Sequence, residues 1–260
     1  MPRRDSLRRS FCGRARRRDV HRAAFFLLAW LFASAPAATA GGGEAERPSF
    51  FASVEVRANN LSAFHKWRSA LARAEAEDAA FSVHQSQGEG CPQVVSPACR
   101  YAGWLQFLDG LQAADRWHQL TAVNRELNRR RYVTDPVNWG VEDYWESPGE
   151  FLARDGDCED FAIAKFLSLR RLGWPAGSLR LAAVRDVRLN VGHAVLVAFL
   201  DGHTWMLDNQ IEEVTDTERV RDYLPVFSID EQSWWRHRPR DGIRDGEKTA
   251  SLPSAPARAE

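Results

Sequence analysis

The sequence predicts an α+β fold in which helices come first and a mostly antiparallel sheet follows. Three observations carry this. Apolar residues recur at helical spacing between Phe64 and Leu127. A capped helix starts in mid-chain at Gly156-Asp157-Cys158. After it, apolar residues fall into short continuous runs, two of them hinged at Asp201-Gly202, which is a β-hairpin signal. Helices and strands in separate blocks argue for segregated layers rather than alternating βα units. With 260 residues, 44% of them hydrophobic, the chain can bury one sizeable core.

At the start, residues 1–40 hold nine of the 35 basic residues, all arginine, ahead of the apolar run from Ala23 to Phe32. Ala38-Thr39-Ala40 then offers a small-x-small cleavage site before Gly41. This is a signal-peptide pattern, and its apolar run is too short for a typical spanning helix. The formal net charge is zero, yet only two of the 35 acidic residues lie in residues 1–40. The remaining body is therefore acidic, which argues against a nucleic-acid partner. Of four cysteines, Cys12 lies in the leader, and Cys91 and Cys99 lie in or beside a Gly-, Pro- and Ser-rich loop. In an exported chain that pair forms a disulfide, with two unpaired loop thiols as the alternative. Cys158 is then the free thiol.

Phe50-Phe51 and Val54 to Val56 read as a strand or an extended packing segment. Asn59-Asn60 caps a helix from Leu61, with Phe64, Trp67 and Leu71 on one face, fading near Asp78. A second helical region begins near Tyr101, with Trp104, Phe107, Leu108 and Leu111 inward. It continues through Trp117, Leu120, Val123 and Leu127, with a break near Ala113-Ala114. Arg129-Arg130-Arg131 read as its solvated C-terminal end. Thr134 to Gly140 is turn-rich. Ser147-Pro148-Gly149-Glu150 starts a short helix, with Ser as N-cap, Pro at N1 and Glu at N3. The next helix has Asp157 as N-cap, Cys158 at N1 and Asp160 three residues past the cap. It runs through Phe161, Ala162, Lys165, Phe166, Leu169 and Leu172 to Gly173 and Trp174-Pro175. Leu179 to Val184, the two arms of the hairpin, and Val226 to Ile229 supply strands. Three segments result: a signal peptide over 1–40, one domain over 41–236, and a disordered Pro-, Arg- and Asp-rich tail over 237–260.

The chemistry centres on Cys158. Unpaired N–H groups and the positive helix end favour a thiolate at N1. His193 opens the first strand of the hairpin and Asp208 closes the second, so antiparallel pairing brings them to one end. A cysteine on a helix start facing such a pair is what a Cys-His-Asp triad requires. Asn209 is an alternative orienter for the histidine. The Cys158 N–H is one oxyanion donor, and Asn138 and Trp145 are candidates for a second, with packing or turn formation as their alternative. The flanking Asp157, Glu159 and Asp160 oppose ionisation of the thiol. A divalent cation would offset them, and oxygen-only ligands point to calcium. Simple helix capping is the competing account.

Asp143-Tyr144-Trp145, the block from Gly156 to Lys165, His193-Ala194-Val195-Leu196 and Leu207-Asp208-Asn209 occur together in this order. Over about Trp117 to Asn209 the chain resembles the bacterial transglutaminase-like cysteine proteases, the LapG-type periplasmic peptidases. The resemblance implies a papain/transglutaminase-like core, with the nucleophile helix packed on the sheet. It implies a triad on Cys158, His193 and Asp208, and calcium held by Asp157 and Glu159. It further implies a periplasmic, calcium-dependent cysteine endopeptidase whose protein substrate is a large surface adhesin cut near its N-terminus. An inner-membrane receptor would sequester the enzyme. Two other functions fit the same residues. One is an acyltransferase of the transglutaminase cross-linking type, in which an amine resolves the thioester. The other is a non-catalytic binding module, which the intact triad argues against.

Overall fold

The computed structural model describes residues 49–86 and 96–239. The expected signal peptide, Gly41, Cys12, Cys91 and the tail from residue 240 lie outside the described residues, and so does the Cys91–Cys99 pairing. Among the described residues are six α-helices and a seven-stranded, wholly antiparallel sheet. The α+β class expected from the sequence is the observed one. None of these helices is long and apolar enough to cross a membrane.

The chain opens with β1 (Ser53–Ala58), then α1 (His65–Ser86). Helix α1 starts later than expected because the Asn60 side chain accepts the Ser62 N–H and Phe64 N–H returns to Leu61, closing a turn first. It also runs past Asp78, where Ala79 and Ala80 have high helix propensity. The second helical region is two helices, α2 (Pro97–Leu111) and α3 (Arg116–Leu127). Asp115 divides them by capping α3 through the His118 N–H at 2.8 Å. Short α4 (Asp135–Asn138) lies in the turn-rich stretch. Helix α5 (Pro148–Arg154) starts at Ser147, whose N–H donates to Glu150 at 2.8 Å. Helix α6 (Cys158–Arg171) has Asp157 as N-cap and ends at Leu172 and Gly173, which takes φ +81°.

The remaining strands are β2 (Leu179–Asp186), β3 (Val191–Leu200), β4 (His203–Leu207), β5 (Thr215–Asp216), β6 (Tyr223–Ile229) and β7 (Trp234–Pro239). They order as β1-β7-β6-β2-β3-β4-β5. Asp201 and Gly202 both take positive φ and join β3 to β4 in a two-residue turn. Alternation divides the sheet's faces. Leu181, Leu196, Ala198, Leu207 and Ile229 pack against Phe161, Ala162, Phe166 and Leu169 of α6 and the other helices. Ala182, Val184, Val195, Val197 and Met206 face the other way and are covered by Phe50 and its neighbours.

The structure corrects two expectations. The disordered tail placed at 237–260 cannot begin at 237, because β7 continues to Pro239. Trp235 and His237 turn inward there, while Arg236 and Arg238 face out. The outward arginines made this strand read as tail. The arginine run is a solvated helix end at Arg129 and Arg131, which are exposed, but not at Arg130, which is half-buried. Arg130 pairs with Asp155 at 2.7 Å and donates to the Leu152 carbonyl at 2.7 Å, and Arg131 reaches Asp155 at 2.9 Å. These contacts tie the end of α3 to the approach of α6.

Candidate active site

The start of α6 is held by Asp160, which is fully buried. Its carboxylate accepts the Asp157 N–H at 2.9 Å and the Glu146 N–H at 2.7 Å. Burial and the nearby Glu146 push Asp160 up to about 10, and burial pushes Glu146 up to about 8. A Cβ on Gly156 would run into the Asp160 carboxyl, so only glycine admits this close approach. Alongside, Tyr132 pairs with Gly156 in a parallel bridge, and Val133 N–H donates to Gly156 O at 2.8 Å. Residues 132–146 are thereby laid across the helix start.

Cys158 occupies N1, as the sequence indicated. Its thiol donates to Glu159 Oε2 at 3.1 Å, and the Ala194 N–H donates to the sulfur. The helix start does not by itself make this thiol easy to ionise. Burial first, then Glu159 and Asp157, push it well above the ordinary cysteine range, with the Ala194 N–H acting the other way.

His193 precedes the residue that touches the sulfur. It is buried on β3, with Nε2 2.9 Å from Asp208 Oδ1. Nδ1 is thus the nitrogen left to exchange a proton with a thiol. Asp208 follows β4 and is fully buried. It also accepts the Gln210 N–H at 2.9 Å and the Tyr223 O–H at 2.8 Å. Burial opposes its ionisation, but the His193, Gln210 and Tyr223 bonds outweigh this and hold it below the usual carboxylate range. Tyr223 comes from β6, and its ring lies 5.6 Å from the His193 ring. Asn209 does not orient the histidine; its Oδ1 is buried without a partner.

Of the two candidate second oxyanion donors, Asn138 is not poised for that role. Asn138 Nδ2 is committed to Glu146 at 2.7 Å and to the Asp155 carbonyl at 2.9 Å. Trp145 packs against the helical core.

Asp157 and Glu159 do not stand alone. Asp135, Asp143 and Glu159 offer oxygens all within 4.8 Å of one another, and so do Asp135, Asp157 and Asp160. Burial and Asp157 raise Asp135 to about 6, while burial and Glu159 raise Asp157. Asp135 Oδ1 and Asp157 Oδ1 are buried with no hydrogen-bond partner. Mutually repelling carboxylates with orphaned oxygens suit a hard cation, and the donors are oxygen except for Cys158. No metal-ligand spacing marks Asp135 and Asp143, because only the fold of residues 132–146 over α6 brings them in. Their one sequence signal was Asp143-Tyr144-Trp145, in which Tyr144 N–H donates to Asp135 at 2.5 Å.

Residues 98–238 match the family model described as bacterial transglutaminase-like cysteine proteinase BTLCP. Among solved structures, the chain is similar to Legionella pneumophila LapG at 28% identity and a TM-score of 0.52, over 62% of this chain and 87% of that one. The calcium-bound form of Legionella pneumophila LapG is also 28% identical with a TM-score of 0.52, over 69% of this chain and 93% of that one. The EGTA-treated form again gives 28% identity and a TM-score of 0.52, over 62% of this chain and 84% of that one. No match was found among curated protein sequences.

Proposed function

The chain belongs to the bacterial transglutaminase-like cysteine proteinases, and on that premise we propose that it is an exported, calcium-dependent endopeptidase acting through Cys158, His193 and Asp208. A cysteine peptidase of this family acts on a protein substrate. The observation that carries the proposed triad is the 2.9 Å His193–Asp208 pair, held beside a sulfur that the Ala194 N–H already contacts.

In this reading the Cys158 proton passes to His193 Nδ1 and Sγ attacks the scissile carbonyl carbon. Asp208 keeps the imidazole in the tautomer with Nε2–H and stabilises its charged form. The Cys158 N–H, at the start of α6, faces the developing oxyanion. His193 then gives its proton to the leaving amine as the C–N bond breaks and a thioester remains. Water attacks the thioester with His193 as base, the acid product leaves, and the thiol is restored.

Calcium would be held by Asp135, Asp143, Asp157 and Glu159. When bound, it supplies positive charge that offsets the carboxylates now raising the thiol. The calcium-bound form of Legionella pneumophila LapG supports this assignment. From the signal-peptide pattern we propose a periplasmic location and removal of residues 1–40, and from the family resemblance a large surface adhesin as substrate and an inner-membrane receptor as regulator.

Cys158→Ala and His193→Ala are each expected to lower hydrolysis of the protein substrate by about a thousandfold or more with the melting temperature retained. Turnover by Cys158→Ala comparable with wild type contradicts the reading. Incorporation of a labelled primary amine in place of hydrolysis would favour acyl transfer instead.

A further inference from the structure

Asp208 has two nitrogen groups to choose between, and only one of them serves the proposed reaction. Its Oδ1 is shared by His193 Nε2 at 2.9 Å and the Gln210 N–H at 2.9 Å. Its Oδ2 takes the Tyr223 O–H at 2.8 Å. On α6, Lys165 is fully buried, and its Nζ has no hydrogen-bond partner. Its Nζ lies 5.9 Å from the Phe161 ring; burial pulls it down to about 7, and Asp208 acts the other way by favouring its charged form. A buried, unpaired amine near a carboxylate competes for it, because a bond between them would satisfy a donor that has left water without a partner. Yet Asp208 is turned to His193. The group holding its second oxygen is Tyr223, whose ring also lies beside the His193 ring.

We infer that Tyr223 is a positioning residue, which keeps the Asp208 carboxylate turned toward His193 and away from Lys165. The inference rests on the triad reading above. Burial and Asp208 push the Tyr223 hydroxyl far up, so it remains a donor throughout the working pH range. Without that hydroxyl, Oδ2 is a buried acceptor with no donor. Rotation toward Lys165 Nζ then satisfies two orphaned groups at once, at the expense of the imidazole. Phenylalanine at this position keeps the ring packing and removes only the bond.

The test compares wild type, Tyr223→Phe and the double variant Tyr223→Phe/Lys165→Met, all in the full mature chain. Methionine matches the lysine stem in length and has no ammonium. Tyr223→Phe is expected to lower kcat by roughly a hundredfold, with KM within about twofold of wild type, as a misaimed catalytic group does. The double variant is expected to regain about tenfold or more of that loss, because the competitor is gone. A purely structural role for Tyr223 predicts no such recovery. The downfield proton signal of the His193 Nε2–H bonded to Asp208 should weaken in Tyr223→Phe and return in the double variant. That signal does not require turnover. If Cys158→Ala proves as active as wild type, the triad reading fails whatever the spectrum says. If kcat and the proton signal of Tyr223→Phe both match wild type, the positioning role is overturned. A loss that Lys165→Met does not recover overturns the competition with Lys165.

Discussion

At the scale of single residues, the account turns on Cys158 and its acidic neighbours. Glu159 stands in two places at once: it accepts the thiol hydrogen at 3.1 Å, and its carboxylate is among the oxygens proposed to hold calcium. After burial it is the largest influence raising the thiol, so at neutral pH it lowers the thiolate fraction. Glu159→Gln keeps the shape and removes the charge. In chelator its alkylation rate is expected to exceed that of wild type by about tenfold, the equivalent of one unit in the thiol pKa. Calcium should then no longer increase that rate, since a ligand has been lost. Rate measurements against pH with iodoacetamide check both outcomes. A wild-type thiol indifferent to chelation, with an unchanged Gln variant, would leave the carboxylates as helix caps only.

At the scale of elements, β7 shows how a buried pattern can be hidden by its exposed neighbours. His237 lies between the Ser53 and Ser228 hydroxyls, at 2.7 and 2.8 Å. Burial first, then Arg180, pull it down to about 3. A folded value below the unfolded value near 6.5 means that the unfolded chain binds the proton more readily. The stability His237 contributes is therefore complete above about pH 6.5 and is lost as pH falls toward 3, by up to about 1.4 kcal/mol per pH unit. His237→Gln should flatten that acid limb in urea titrations between pH 6.5 and 4. Ending the chain at residue 236 should cost about 2 kcal/mol or more, through the lost bonds and buried ring. A truncated chain as stable as the full one would restore the boundary at 236. The elements that could be read in advance have local signals: the cap and C′ glycine of α6, the Ser147-Pro148 start of α5, and the Asp201-Gly202 hairpin. Cys158, His193 and Asp208 stood out for the same reason, each lying at the end of such an element. Asp135, Asp143, Tyr223 and the role of Arg130 were not legible. They reach the site through tertiary contacts that no period or spacing encodes.

At the scale of the whole molecule, the sheet separates two tasks. One face carries the helical core and presses α6 onto β2 and β3, which fixes Cys158 against Ala194. The other face is closed by Phe50 and its neighbours, with β1 locked to β7. Residues 132–146, anchored through Gly156 and Asp155, bring the acidic residues over the same helix start. The proposed nucleophile and the proposed cation site are therefore coupled through one short stretch of backbone. The most direct measurement is labelling of the mature chain with a peptidyl electrophile, followed by peptide mass mapping, with calcium and with chelator. The account predicts one adduct, on Cys158, formed quickly with calcium, slowed about tenfold or more by chelator, and nearly absent in His193→Ala. Labelling of Cys158 that is equally fast in His193→Ala and in chelator would contradict it.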